Sequence, residues 1–126
     1  MRLLVGIAAV LAVSASCAGS SEVSGDRRVV GDVTVTFTVR PARVEVGKTV
    51  LLTLRVTNVA GRPAELTFPS AKLYDFWVTR GSDEVWRWSD GRFFTQAIEK
   101  RTIGPQDTLT LSEPWVARDD GRFVVH

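Results

Sequence analysis

The segment Asp32–Val39 reads DVTVTFTV, with Val33, Val35, Phe37 and Val39 alternating against Thr34, Thr36 and Thr38. A strict period of two places one set on a buried face and the other on a wet face, which only a β-strand can do. The pattern returns in TVLLTLRVTN, Thr49 to Asn58, where Val50, Leu52, Leu54 and Val56 are expected to point inward. Shorter runs follow: AELTF closed by Pro69, LYDFWVT, EVWRW, TLTL before Ser112, and RFVV near the end. Between them Pro41, Gly47, Gly61-Arg62-Pro63 and Arg80-Gly81-Ser82-Asp83 supply breakers. Turn signals about every ten residues are the rhythm of an antiparallel β-sandwich. FFTQAIEKRTI, the one segment that could form a short helix, is read as loop and strand.

The chain has 126 residues, enough for one domain. Its net charge of +2 argues against nucleic acid or an anionic membrane surface as the main partner. Thirteen Arg against three Lys are better explained by genomic base composition than by an interface. Met1-Arg2 followed by the apolar run Leu3–Val13 is too short to span a bilayer as a helix. It has the length of a signal-peptide core. VSASC then ends at Cys17, the only cysteine. This resembles a bacterial lipobox, with Ser14 where Leu is usual. The expectation is a leader over 1–16, a lipidated Cys17 opening a flexible tether over 17–31, and a sandwich domain over 32–126. The protein would then sit outside the cytoplasm, anchored to the membrane by lipid. The alternative is cleavage near Ala18, which discards the cysteine and secretes the domain.

Catalytic signatures are sparse. The only histidine is His126, at the end of the sequence, where a fraying residue cannot serve as a positioned base. One Cys and one His cannot make a Cys/His metal site, and no glycine loop for phosphate precedes a helix. The acidic residues Asp83, Asp90, Asp107, Asp119 and Asp120 fall in turns. A hydrolase built on Asp75 or Asp90 is the weakest reading. A non-enzyme without cofactor or metal is expected.

The stretch EVWRWSDGRFF, Glu84 to Phe94, concentrates two Trp and two Phe in eleven residues. Alternation through the hairpin puts Tyr74, Phe76 and Val78 on one face and Leu73 and Trp77 on the other. Trp86 and Trp88 share a face opposite Val85 and Arg87. Both faces therefore carry large apolar groups, although a sandwich buries only one. Burial of most of these rings is the reading favoured, with loops or a crossing strand covering the second face. The competing reading is an exposed aromatic-and-arginine patch, the composition of binding hot spots. DGRF occurs at Asp90–Phe93 and again at Asp120–Phe123, and both copies are expected to be tight turns launching a strand.

LYDFWVTRGSDEVWRWSDGRFFTQA, with TLTLSEPW and GRFVV further on, resembles the BsuPI-type intracellular proteinase inhibitor domain. The resemblance starts near VEVGKTVLLTLRVTN. The Tyr-Asp-Phe strand, the Val-Trp-Arg-Trp-Ser return, Phe94, Gln96 and Trp115 carry it. It implies an all-β, immunoglobulin-like sandwich, in agreement with the seven to eight strands read from the alternation, and, as in the founding member, inhibition of a serine proteinase. Here IGPQDT stands where the family tends to have a Pro-Gly turn. The founding activity is intracellular, whereas this chain has an export-type leader. The reading is a non-catalytic protein-binding domain with a serine proteinase as the implied partner. The hairpin tip Arg80, Gly81, Ser82 and Asp83 is its first candidate contact, with Trp77, Arg87 and Trp88 beside it. Arg80 would suit a trypsin-like pocket. The other reading is a structural or adhesive envelope module with no inhibitory activity.

Overall fold

The computed structural model describes residues 8–14, 23–68 and 70–126; Cys17 and its lipidation lie outside them. Eleven strands are found among the described residues: β1 (Ala9–Ser14), β2 (Ser24–Val30), β3 (Val33–Arg40), β4 (Arg43–Glu45), β5 (Thr49–Asn58), β6 (Ala64–Phe68), β7 (Trp77–Arg80), β8 (Asp83–Arg87), β9 (Glu99–Ile103), β10 (Thr108–Val116) and β11 (Gly121–Val125). Three sheets result, in the orders β4-β1-β11-β7-β8, β10-β5-β3-β2 and β6-β9. The all-β sandwich expected from the alternation is present, with more strands than seven or eight. The surplus comes from β1 and β2 and from the very short β4.

Alternation sets the core. Val33, Val35, Phe37 and Val39 of β3 are buried, as are Val50, Leu52 and Val56 of β5. Leu54 is only partly buried against them. From the opposing sheet come Leu11, Val44, Val78, Phe123 and Val125, and from the third sheet Ala64, Leu66, Phe68 and Ile103. Phe37 and Phe76 stack at 5.8 Å across the interior. On the other side of β5, residues directly opposite in β10 pair through their hydroxyls: Thr53 with Ser112 at 3.1 Å and Thr57 with Thr108 at 2.9 Å. Such cross-strand pairs help fix the register.

Two segments differ from the sequence reading. Ser24–Val30, expected to be tether, is strand β2, paired with β3 from Ser24↔Val39 to Val30↔Val33. Its side chains are mostly exposed or half-exposed, so the backbone ladder holds it and no apolar alternation marks it. Gly25 is required there: a Cβ would lie 2.4 Å from the Phe37 carbonyl oxygen. Ala9–Ser14, within the expected leader, is strand β1, antiparallel to β11 and parallel to β4. Ala9 and Leu11 are buried in the core and Val10 faces out.

Asn58 ties the far end of β5 to the neighbouring loops. It is wholly buried. Its Nδ2 donates to the carbonyls of Arg62 (2.7 Å) and Ile103 (2.9 Å), and its Oδ1 accepts from the Ala60 N–H (2.9 Å). Beside it the β9–β10 connection is a Gly104-Pro105-Gln106-Asp107 turn, closed by the Asp107 N–H on the Gly104 carbonyl at 3.0 Å. Gln106 takes φ 65° at the third position, where a type II turn needs positive φ and usually has Gly. The turn is held in place because the Gln106 N–H donates to the Asn58 carbonyl and the Asn58 N–H to the Asp107 carbonyl, both at 2.9 Å.

Candidate functional site

The aromatic hairpin is β7 and β8, and its tip is a two-residue turn. Arg80 pairs with Asp83. Gly81 has φ 60° at the first central position, the arrangement of a II′ turn. A bulge between Val78 and Thr79 shifts the register, leaving Val85 unpaired and about half exposed. Below the bulge Val78 opposes Trp86, and Trp77 opposes Arg87. Directly opposed residues share a face. Val78 and Trp86 therefore point into the sandwich, and Trp77 and Arg87 point out.

Most of the rings are structural. Phe76 is buried, and Tyr74, Trp86 and Trp88 pack on the core. Trp88 is stacked on Tyr74 with centroids 4.4 Å apart. The Tyr74 hydroxyl donates to Glu113 Oε1 at 2.6 Å. Burial, together with that bond, pushes the Tyr74 pKa up to about 12, so the phenol stays neutral. Trp86, Trp115 and Phe123 form a chain of rings, with centroids 6.5 Å and then 5.6 Å apart. They line a cleft of about 390 Å³ that also includes Arg118 and Asp119. Arg80, at the hairpin tip, lies over Phe123, its guanidinium carbon 5.9 Å from the ring centroid.

The outer face is covered differently from the expectation. Among the described residues, the groups that lie on Trp77 are two side chains. The Arg87 guanidinium lies over its ring at 4.5 Å, and the His126 imidazole stacks parallel to it at 5.2 Å. His126 is not frayed: its N–H and C=O pair with Trp77 at 2.8 and 3.0 Å, and its Nε2 lies 3.1 Å from Thr79 Oγ1. Burial, aided by the Arg87 charge, lowers the His126 pKa below its usual value, so the ring is neutral at pH 7. The candidate residues thus separate. Trp77 and Arg87 meet on the outer face, Trp88 belongs to the interior, and Arg80–Asp83 lie at the other end of the hairpin.

Asp75 is the hub below the hairpin. It accepts from Arg87 Nη1 (2.9 Å), Ser89 Oγ (2.7 Å) and the Ser89 N–H (3.2 Å), with Lys72 Nζ at 3.6 Å. Arg87 also pairs with Glu84. Burial alone would raise the Asp75 pKa. The bonds from Ser89 and Arg87, with the nearby positive charges, outweigh it and hold the carboxylate below its ordinary range. A carboxylate so tied is a clamp, poorly suited to passing protons. No group of three or more His, Cys, Asp or Glu among the described residues could hold a metal ion. No helix among them is long and apolar enough to cross a membrane.

The loop after β8 holds the residue whose exposure the sequence did not reveal. Asp90–Phe93 does not launch a strand, in contrast to Asp120–Phe123, where Gly121 begins β11. The first copy instead forms two overlapping turns, closed by Asp90 N–H on the Arg87 carbonyl (3.2 Å) and Arg92 N–H on the Ser89 carbonyl (3.1 Å). Gly91 at φ 75° permits the bend. Phe93, next along, is 99% exposed, whereas Phe94 folds back on Trp88 at 5.8 Å. Two adjacent phenylalanines carry no period, so the sequence could not say which one faces out.

A family model described as BsuPI, intracellular proteinase inhibitor, matches residues 36–126, from within β3 through β11. No curated protein matches the chain. The matched span takes in the aromatic hairpin, the clamped loop and all of the two main sheets except β1, β2 and the start of β3. On that match the chain belongs to the BsuPI family of intracellular proteinase inhibitors.

Proposed function

We propose that this domain binds a serine proteinase at its active-site cleft and inhibits it without performing chemistry of its own. Family membership over residues 36–126 carries the reading. The Asp75 clamp and the neutral, stacked His126 support it, because the best-placed ionisable groups are engaged in holding the fold. An inhibitory segment must be rigid before it meets the enzyme, since ordering it on binding lowers affinity. The hairpin tip is a two-residue turn that offers little extended chain, and Arg80 lies over Phe123. That favours a bracing role for Arg80, and Arg80→Ala is expected to leave inhibition intact.

The same proposal places the domain outside the cytoplasm on a lipid carried by Cys17, on the strength of Met1-Arg2, the Leu3–Val13 run and the lone cysteine. Cleavage before Cys17 would remove β1 and expose the edges of β11 and β4. Secretion after cleavage near Ala18 would have the same consequence.

Gel filtration of the full chain with chymotrypsin, subtilisin and trypsin tests the binding site. Complex formation with a free proteinase, lost when its active-site serine is first sulfonylated, is the expected result. Equal binding to blocked and free enzyme, or none to any, would overturn the proposal.

A further inference from the structure

We propose that Phe93 is the anchor by which the domain enters its proteinase, filling an apolar primary specificity pocket. The inference rests on the proteinase-binding reading and names the residue and the class of enzyme it selects.

Three observations converge on it. Phe93 is 99% exposed, the most exposed large apolar side chain among the described residues. A phenyl ring left in water adds nothing to folding, which leaves it free to bury its surface against a partner. The loop around it is fixed on both sides. Before it, Ser89 is held by Asp75 through its N–H (3.2 Å) and its hydroxyl (2.7 Å). The Arg92 guanidinium lies over the Trp88 ring at 4.6 Å and donates from Nε to the Trp88 carbonyl at 2.9 Å. After it, Phe94 packs on Trp88, and the Thr95 carbonyl accepts from the Ala71 N–H at 2.9 Å. The chain is thus tied to the body of the domain at Ser89, Arg92, Phe94 and Thr95, while the Phe93 ring between them stands in water.

An exposed aromatic on a preorganised loop is the form taken by interface anchors, which fill a partner's pocket at small entropic cost. Serine proteinases present one deep primary pocket whose lining sets specificity: an apolar slot in chymotrypsin-like enzymes, a carboxylate in trypsin-like ones. A phenyl ring matches the first and is refused by the second. The clamps matter for persistence as well as entry. A loop pinned at Ser89 and Thr95 would keep its geometry after attack on its backbone, which favours resealing over release.

The test uses the full chain and the variants Phe93→Ala, Phe93→Arg and Arg80→Ala, titrated against chymotrypsin, subtilisin and trypsin. The expected result is inhibition of chymotrypsin or subtilisin, weakened at least about 30-fold by Phe93→Ala with an unchanged melting temperature. Phe93→Arg should shift preference toward trypsin, and Arg80→Ala should change nothing. Inhibition equal in wild type and Phe93→Ala would overturn the anchor while leaving the proteinase-binding reading in place. Inhibition of trypsin by wild type, lost in Arg80→Ala, would also overturn it. A wild type that inhibits none of the three would remove both the anchor and the reading beneath it.

Discussion

Replacing Asn58 by Ala probes the joint between β5 and the loops beyond it. The side chain satisfies three backbone groups at once, the carbonyls of Arg62 and Ile103 and the N–H of Ala60. Ala removes all three partners and leaves a small void at a fully buried position. An orphaned buried polar group costs about 1–3 kcal/mol. The bond to Ile103 is buried, so that carbonyl bears the full penalty, whereas those to Arg62 and Ala60 are part-buried and water can satisfy them in part. The expected loss is therefore about 2–5 kcal/mol, a large share of the ~5–15 kcal/mol that holds a domain together. Urea unfolding followed by Trp fluorescence, with the slope m unchanged, measures it. Asn58→Asp should be worse at neutral pH, because it sets a buried carboxylate against two carbonyl oxygens. Its folded pKa would be raised, so stability should recover as pH falls. An Asn58→Ala variant within about 0.5 kcal/mol of wild type would refute the assignment of these bonds as the joint.

Other outcomes follow from single contacts. Gly25→Ala should destabilise by about 1–3 kcal/mol, since the new Cβ would meet the Phe37 carbonyl oxygen at 2.4 Å; in a flexible tether the same change would be neutral or slightly stabilising, so the sign of the shift in melting temperature decides between strand and tether. Because His126 has a lowered folded pKa, the unfolded chain takes up the proton first, and stability should fall as pH drops below about 6.5; His126→Gln should flatten that slope in melting curves from pH 7 to 5. The loss tied to Asp75, also lowered, should begin only below the ordinary carboxylate value of 3.8. Cys17→Ala should abolish incorporation of labelled fatty acid into the chain expressed in a bacterium, and unchanged labelling would remove the anchor from the account.

The sandwich was legible because β3 and β5 each bury one face, and a period of two survives any choice of partner strand. The strand β2 was not legible, because an edge strand held by its backbone needs no apolar side chains. Nor was the fate of the rings. Alternation separated Trp77 from Tyr74, Phe76 and Val78 correctly but set Leu73 beside Trp77, whereas Leu73, ahead of β7, packs on the core; nor could it show that Arg87 and His126 would cover the outer face, since His126 reaches Trp77 through the pairing of β11 with β7. The two DGRF copies show the limit of local sequence. One begins β11 and the other does not: Asp75, far outside the repeat, captures Ser89, and Arg92 folds back over Trp88. The Asp75 contact to Ser89, fourteen positions apart, lies beyond any window of eleven residues.

On the proposed function, this domain acts by occupying a proteinase. The decisive experiment is a fixed amount of chymotrypsin or subtilisin titrated with the full chain, with the chain's mass read after each step. Residual activity should fall linearly to near zero at about one chain per enzyme, with the chain recovered at full mass. Undiminished activity at excess chain, or a chain cut at Phe93 and released at the pace of an ordinary substrate, would contradict it.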